Sequence, residues 1–274
     1  AATRFIALPR FVRDGRRLNN KAKLYGDLAA RPAPVASGET RGRILAKVNQ
    51  RDRHDDPLRL DAPTRIKGRG AASNPDNRFA ATAKTLEDDG WHHDATEPAR
   101  PPTHVTEERA RSIVSRNDSP DIRFEQSVNP YRGCEHGCVY CFARPSHAYL
   151  DLSPGLDFET RLFAKTNAAE LLRAELARPG YVPAPIALGI NTDGWQPIER
   201  RHGISRACLE VLRETRHPLS IVTKGSALLR DLDLLAALAR DGLATVYVSV
   251  TTLDNVLSAK LEPRAAAPHQ KHRS

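Results

Sequence analysis

The chain has 274 residues, 40% hydrophobic and 27% charged, enough for one large or two ordinary domains. No apolar run approaches the roughly 20 residues needed to span a bilayer, which argues against membrane-spanning helices. Four cysteines, three of them inside eight residues, do not make a secreted disulfide framework. In a cytosolic chain such a cluster more often binds metal.

The net charge of +9 is unevenly spread. Residues 1–60 hold 14 Lys and Arg against 6 Asp and Glu, whereas residues 121–274 hold 19 against 17. The excess lies in an N-terminal arm. Such an arm can attract nucleic acid non-specifically, or it can be a solvated extension. Its first 25 residues are Arg-rich and acid-poor, like a transit peptide. Residues 1–116 show little sustained periodicity and read as a loop-rich or disordered extension. Lys67-Gly68-Arg69-Gly70 and Asn74-Pro75-Asp76-Asn77 are turn chemistry. No Gly-Lys-Ser/Thr follows Gly68 and Gly70, so they read as a loop and not as a phosphate cradle. Methionine is absent even at position 1, and the sequence stops soon after a Pro-containing helix-like segment. The chain therefore reads as a fragment.

From residue 121 a regular alternation begins. Ile122 to Val128 reads as a strand leading to the cysteines. Asn167 is a candidate N-cap for a helix that turns Leu171, Leu172 and Leu176 inward. Pro185 to Asn191 reads as a strand. Ile204, Cys208, Val211 and Leu212 recur at helical spacing. Leu219 to Thr223 is a third strand, and Leu228, Leu232, Leu235 and Ala239 mark the next helix. Asp241-Gly242 ends it. Ala244 to Thr251 is a fourth, β-branched strand, and a further helix starts near Asp254. Strands alternating with helices predict an α/β fold of parallel β-α units with right-handed crossovers. In such folds functional residues collect at the C-terminal ends of strands. The cysteines, Asn191-Thr192-Asp193, Thr223-Lys224 and Ser249-Val250-Thr251 all fall there.

The cysteines are Cys134, Cys138 and Cys141, spaced C-x3-C-x2-C, with the aromatic Tyr140 before the third. Three thiolates on one short loop can hold three irons of a [4Fe–4S] cluster and leave the fourth open, whereas an electron-carrying cluster is closed by four cysteines. The competing structural-zinc reading would add His136 or His147. It fits none of the common zinc spacings, and an all-thiolate set suits iron–sulfur.

This loop resembles the signature of the radical S-adenosylmethionine (SAM) enzymes. Asn129-Pro130-Tyr131-Arg132-Gly133 before it and Phe142-Ala143-Arg144-Pro145 after it narrow the likeness. With Asn191-Thr192-Asp193 and Thr223-Lys224 they resemble the spore photoproduct lyase-related branch, whose members are often labelled DNA repair photolyases. The resemblance covers about residues 60–266. It implies a TIM-like partial barrel of type (β/α)6, of which four strands are counted here. The chain then reads as an extension over 1–116 and an incomplete radical SAM core over 117–274. It also implies a [4Fe–4S] cluster on Cys134, Cys138 and Cys141, with SAM chelating the open iron. An external donor of flavodoxin or ferredoxin type would reduce the cluster. SAM would then split into methionine and a 5′-deoxyadenosyl radical that takes hydrogen from a substrate, which nucleic acid could be. Such a cluster implies a reducing, cytoplasmic setting.

The residues expected to meet SAM are Tyr140, Thr192, Asp193, Lys224 and Ser249. Asp193 could accept from the ammonium of SAM, and Lys224 could pair with its carboxylate. For each strand-end residue the bland alternative is ordinary polarity or a helix cap. Cys208 reads as a buried small hydrophobe. Arg132, His136 and Arg144 surround the cluster, and Trp195 could line a substrate cavity or simply pack. Trp195 stands where this branch more often has Pro-Tyr, and Gly225 also departs from its pattern. The extra cysteine and tyrosines that relay the radical in spore photoproduct lyase have no counterpart, so thymine-dimer repair does not follow. Two other functions stay open: a nucleic-acid-binding module with a structural metal, and an inactive fragment of the enzyme.

Overall fold

A computed structural model describes residues 66–79, 101–122 and 124–272. The basic arm of residues 1–60 lies outside the described residues.

In chain order the strands and helices begin with β1 (His104–Glu108), β2 (Val114–Arg116), β3 (Gln126–Val128) and β4 (Tyr131–Arg132). The cysteine loop follows, then a 3-10 helix (Arg144–Leu150), α1 (Asp157–Thr160), β5 (Arg161–Lys165) and α2 (Ala168–Leu176). Next come β6 (Ile186–Leu188), α3 (Glu199–His202), α4 (Ile204–Glu214) and β7 (Leu219–Thr223). A second 3-10 helix (Ser226–Asp231) leads into α5 (Leu232–Arg240), then β8 (Ala244–Val248), α6 (Asn255–Leu261) and α7 (Pro268–His272).

The strands make two sheets and no closed barrel, so the α/β class stands in its general form. The larger sheet has the order β2-β3-β6-β7-β8, in which β3, β6, β7 and β8 run parallel and β2 is an antiparallel edge. These four parallel strands are the four expected from the sequence. Three of them are shorter than predicted, since only Gln126–Val128, Ile186–Leu188 and Ala244–Val248 pair.

Register aligns the strand ends. Val128 pairs with Leu188, Leu188 with Ile221, and Thr223 with Val248. The residues that follow each strand therefore emerge on one edge. Beneath them Val128, Ile186, Leu188 and Ile221 are fully buried against Leu172, Cys208, Leu209 and Leu212 of α2 and α4. Burying each such aliphatic side chain stabilises the fold by about 1.5–3 kcal/mol.

The smaller sheet has the order β1-β5-β4, with β1 parallel and β4 antiparallel to β5. It anchors the chain just before the cysteines. Both β1 and β2 precede residue 117, yet both pair with later strands, so the packed unit begins before the expected boundary. Asn167 stands at the start of α2 but makes no side-chain cap. Its amide instead donates to the Ala110 carbonyl and accepts from the Ala110 N–H, both at 2.9 Å.

Candidate cofactor site at the cysteine loop

The loop leaves β4 through Gly133, whose φ of 74° favours glycine. A Cβ there would lie 2.6 Å from Leu162 Cδ2 and 2.8 Å from the Phe158 carbonyl. The Cys134 N–H donates to that same carbonyl at 2.9 Å. Glu159, fully buried, braces the loop from below. Its carboxylate accepts from the backbone N–H groups of Gly70 and Ala71 at 2.9 Å each and pairs with Arg144 at 2.5 Å. Arg144 in turn donates to the Cys138 carbonyl at 3.0 Å. Gly70 lies so close that a Cβ would sit 1.8 Å from the Gly137 carbonyl oxygen. The 67–70 stretch is thus a loop, as expected, and it buttresses the cysteines. Arg144 is consumed in this brace and is not free to meet an anionic substrate. Arg132 points elsewhere and pairs with Glu108 at 2.9 Å.

Cys134, Cys138 and Cys141 line one cavity of about 220 Å³ together with Tyr140, Thr192, Asp193, Thr223 and Lys224. Four of the five residues expected to hold SAM therefore meet the cysteines. Ser249 does not line the cavity. It is buried, and its N–H donates to the Thr223 carbonyl at 2.9 Å, continuing the β7–β8 ladder.

Asp193 differs from expectation in kind. One oxygen accepts from Thr223 Oγ1 at 2.7 Å and from the Trp195 N–H at 2.8 Å. The other accepts from the Lys224 N–H at 2.7 Å and lies 3.3 Å from His136 Nδ1. A carboxylate offers about four lone-pair sites, and these four neighbours use them. Asp193 is a clasp joining the β6 and β7 strand ends to the cysteine loop, with no acceptor left for an ammonium. Burial opposes charge on His136, but Asp193 and Cys134 outweigh it and push its pKa up to about 10. Burial also opposes charge on Asp193, and His136 with the other donors holds its carboxyl below the usual range. The Thr192 hydroxyl donates to the Tyr131 carbonyl at 3.1 Å, a second structural use. Trp195 is buried, and its indole N–H donates to Asp231 at 2.9 Å, which favours packing.

Lys224 and Tyr140 line the cavity side by side. The Lys224 ammonium stands 5.9 Å from the Tyr140 ring centroid, within cation–π range. The Tyr140 hydroxyl donates to Glu262, which also accepts from Thr251 and pairs with Lys271 at 2.5 Å. Sequence reasoning missed this strap. The Val139 N–H donates to the Leu261 carbonyl, the Arg264 N–H to the His136 carbonyl, and the Ala266 N–H to the Lys224 carbonyl. Residues 261–266 thus run across the loop, bound at three backbone points.

Glu262 and Lys271 form a buried ion pair, so removing one partner strands the other. Glu262→Gln is expected to destabilise the fold by about 3–5 kcal/mol in urea titration, and adding Lys271→Met to recover much of the loss. Burial raises the Glu262 pKa, but hydrogen bonds from Lys271, Thr251 and Tyr140 win and lower it. Its contribution is therefore complete above the unfolded carboxyl value, about 4.3, and disappears as pH falls through the lower folded value. The wild-type advantage over Glu262→Gln should shrink below about pH 4. An advantage that does not change with pH would contradict the assignment.

Three thiols and no fourth line the cavity, the donor set that a cluster with one open iron would need. Burial pushes the Cys138 thiol up to about 12, helped by the nearby Cys134, and burial also raises Cys141. The fourth cysteine, Cys208, sits in the α4 core and cannot reach the cavity lining. Among the described residues no three His, Cys, Asp or Glu side chains form a ready cage for a single metal ion. A cluster binds each cysteine through a different iron and does not require such a cage.

Fold and cavity together define an α/β protein with a cysteine-lined site at the strand ends. No family model and no solved structure matches the chain. It is 44% identical over 150 residues to uncharacterized proteins of Mycobacterium tuberculosis and Mycobacterium bovis, covering 55% of this chain and 44% of each relative. An uncharacterized protein of Methanocaldococcus jannaschii is 25% identical over 155 residues, covering 57% of this chain and 54% of the relative. The chain thus spans about half the length of the curated relatives it matches. Among the described residues no helix is long and apolar enough to cross a membrane.

Proposed function

We propose that this chain carries the cofactor half of a radical SAM enzyme related to the spore photoproduct lyase branch. One observation carries the reading: three cysteines, with no fourth in reach, share a cavity with Lys224 and Tyr140 at parallel strand ends. The sequential order β3-β6-β7-β8 is that of the opening strands of a (β/α) barrel, which supports the partial-barrel fold. The cytoplasm suits an oxygen-sensitive cluster.

Cys134, Cys138 and Cys141 would hold a [4Fe–4S] cluster, which would supply one electron for the cleavage of SAM into methionine and a 5′-deoxyadenosyl radical. Lys224 presents a positive point charge for the carboxylate of SAM. Tyr140 fixes that ammonium through its ring and is itself fixed by Glu262. Asp193 keeps the β7 end and His136 in register with the loop. Ile190, Val222 and Ala143 add apolar lining. The substrate is a separate matter, and nucleic acid is one candidate class.

Anaerobic reconstitution with iron and sulfide tests the reading. The expected result is a brown protein that releases 5′-deoxyadenosine from SAM only when reductant is present. Retention of zinc with no iron uptake would sink it. Lys224→Ala should keep its iron while its Kd for SAM rises about tenfold, equivalent to about 1.4 kcal/mol. Unchanged affinity would remove Lys224 from the site.

A further inference from the structure

Buried His136 lines two cavities. One holds the cysteines. The other, about 240 Å³, is lined by residues of α3, the second 3-10 helix and the strap among others, with no cysteine and no carboxylate. Arg200 and Arg264 both line it, from segments far apart in the chain. Arg200 is exposed, and among the described residues no carboxylate pairs with it. Arg264 pairs with Glu135 at 2.8 Å, which leaves most of the five N–H donors of its guanidinium unspent. Ser226 also lines the cavity, and its hydroxyl makes no hydrogen bond among the described residues. Trp195 and Pro197 supply apolar lining, and the buried Trp195 has already given its indole N–H to Asp231.

Two guanidinium groups on one cavity repel each other, and Glu135 offsets only one of them. An anion between them turns that repulsion into attraction. A planar carboxylate is matched by a single guanidinium, fork to fork. A phosphate presents three strong acceptor oxygens and so takes donors from both arginines and from Ser226. We infer that this cavity binds the phosphate group of a small phosphorylated compound, whose carbon part lies on Trp195 and Pro197. No cysteine lines it, so the site is one of binding and not of radical chemistry. Its effect runs through the strap. The Arg264 N–H donates to the His136 carbonyl at 3.2 Å and the Ala266 N–H to the Lys224 carbonyl at 3.1 Å. A phosphate that ties Arg264 to Arg200 of α3 pins the strap in place, and a ligand that binds only the folded chain stabilises it. This site goes beyond the enzyme reading and does not depend on it.

Inorganic phosphate is the probe, and calorimetry on the full chain reads its binding. Wild type should show one saturable site, and phosphate should raise its unfolding temperature and slow hydrogen exchange at the Ala266 N–H. In Arg200→Gln the phosphate Kd should rise at least about tenfold. Its unfolding temperature without phosphate should stay that of wild type, because exposed Arg200 has no ion pair to lose. Lys67→Gln is the control for net charge. Lys67 is also exposed but lines the neighbouring cavity of about 510 Å³, so its loss should leave the Kd within about twofold. Absence of saturable binding, or an unchanged Kd in Arg200→Gln, overturns the site. Equal weakening by Lys67→Gln does so too, since it shows attraction to diffuse charge only. Acetate that binds as tightly as phosphate overturns the ligand class. So does tighter binding of an oligonucleotide without terminal phosphates, lost in Arg200→Gln, which would make the ligand a nucleic-acid backbone. A chain that binds phosphate through Arg200 yet takes up no iron keeps this site and loses the enzyme reading.

Discussion

Cys138→Ala is expected to abolish iron uptake, whereas Cys208→Ala leaves it intact. The two residues share a side chain and are both buried, so the contrast isolates position. Cys138 lies between the other two thiols, and its carbonyl is gripped by Arg144. Removing its sulfur leaves two ligands for four irons. No replacement donor stands ready: His136 Nδ1 faces Asp193, and Glu159 is occupied by Arg144, Gly70 and Ala71. Cys208 is enclosed by α4 and its neighbours, where a thiol acts as a small apolar group. Alanine there costs on the order of 1 kcal/mol through a minor cavity and does not touch the loop. Iron and sulfide content per chain, with the visible absorbance of the cluster, decides the matter. Full iron loading of Cys138→Ala would remove the loop from the cluster.

The parallel sheet was legible because its strands are short apolar runs separated by amphipathic helices. Leu219–Thr223 is matched residue for residue, and Ile204, Cys208, Val211 and Leu212 are buried on one face as spaced. Convergence of the strand ends followed from topology. The smaller sheet was harder to read. In β5 the alternation of Leu162 and Ala164 was present, but Arg161 and Lys165 bracket it and mask its period. In β1 most side chains are exposed, so it carries almost no pattern. The brace beneath the cysteines joins Gly70 to Glu159 across 89 residues, and local spacing cannot report such a contact. The strap was missed for the same reason. Glu262 reaches Tyr140 from 122 residues away, through a segment that reads locally as a helix end.

The role of Asp193 changed most, and its replacement gives the second large effect. In sequence it is a strand-end carboxylate beside a cofactor motif, the usual profile of a ligand-binding acid. In the structure three donors and the His136 ring surround it. Asp193→Ala strands the Lys224 and Trp195 N–H groups and the Thr223 hydroxyl, and leaves the His136 charge without its counterion. Breaking a buried pair in this way costs about 3–5 kcal/mol, to be read as a lower urea midpoint. Asp193→Asn separates the two roles. Its oxygen can still accept from Trp195 and Thr223, but its amide would meet the Lys224 N–H donor to donor. A clasp therefore predicts lost stability in both variants, larger for alanine, with SAM affinity per folded chain falling only as far as Lys224 and the loop shift. A direct ligand predicts the reverse pattern, with Asp193→Asn stable yet unable to hold SAM. Stability of Asp193→Ala within about 0.5 kcal/mol of wild type would falsify the clasp, since such a small change belongs to a surface site.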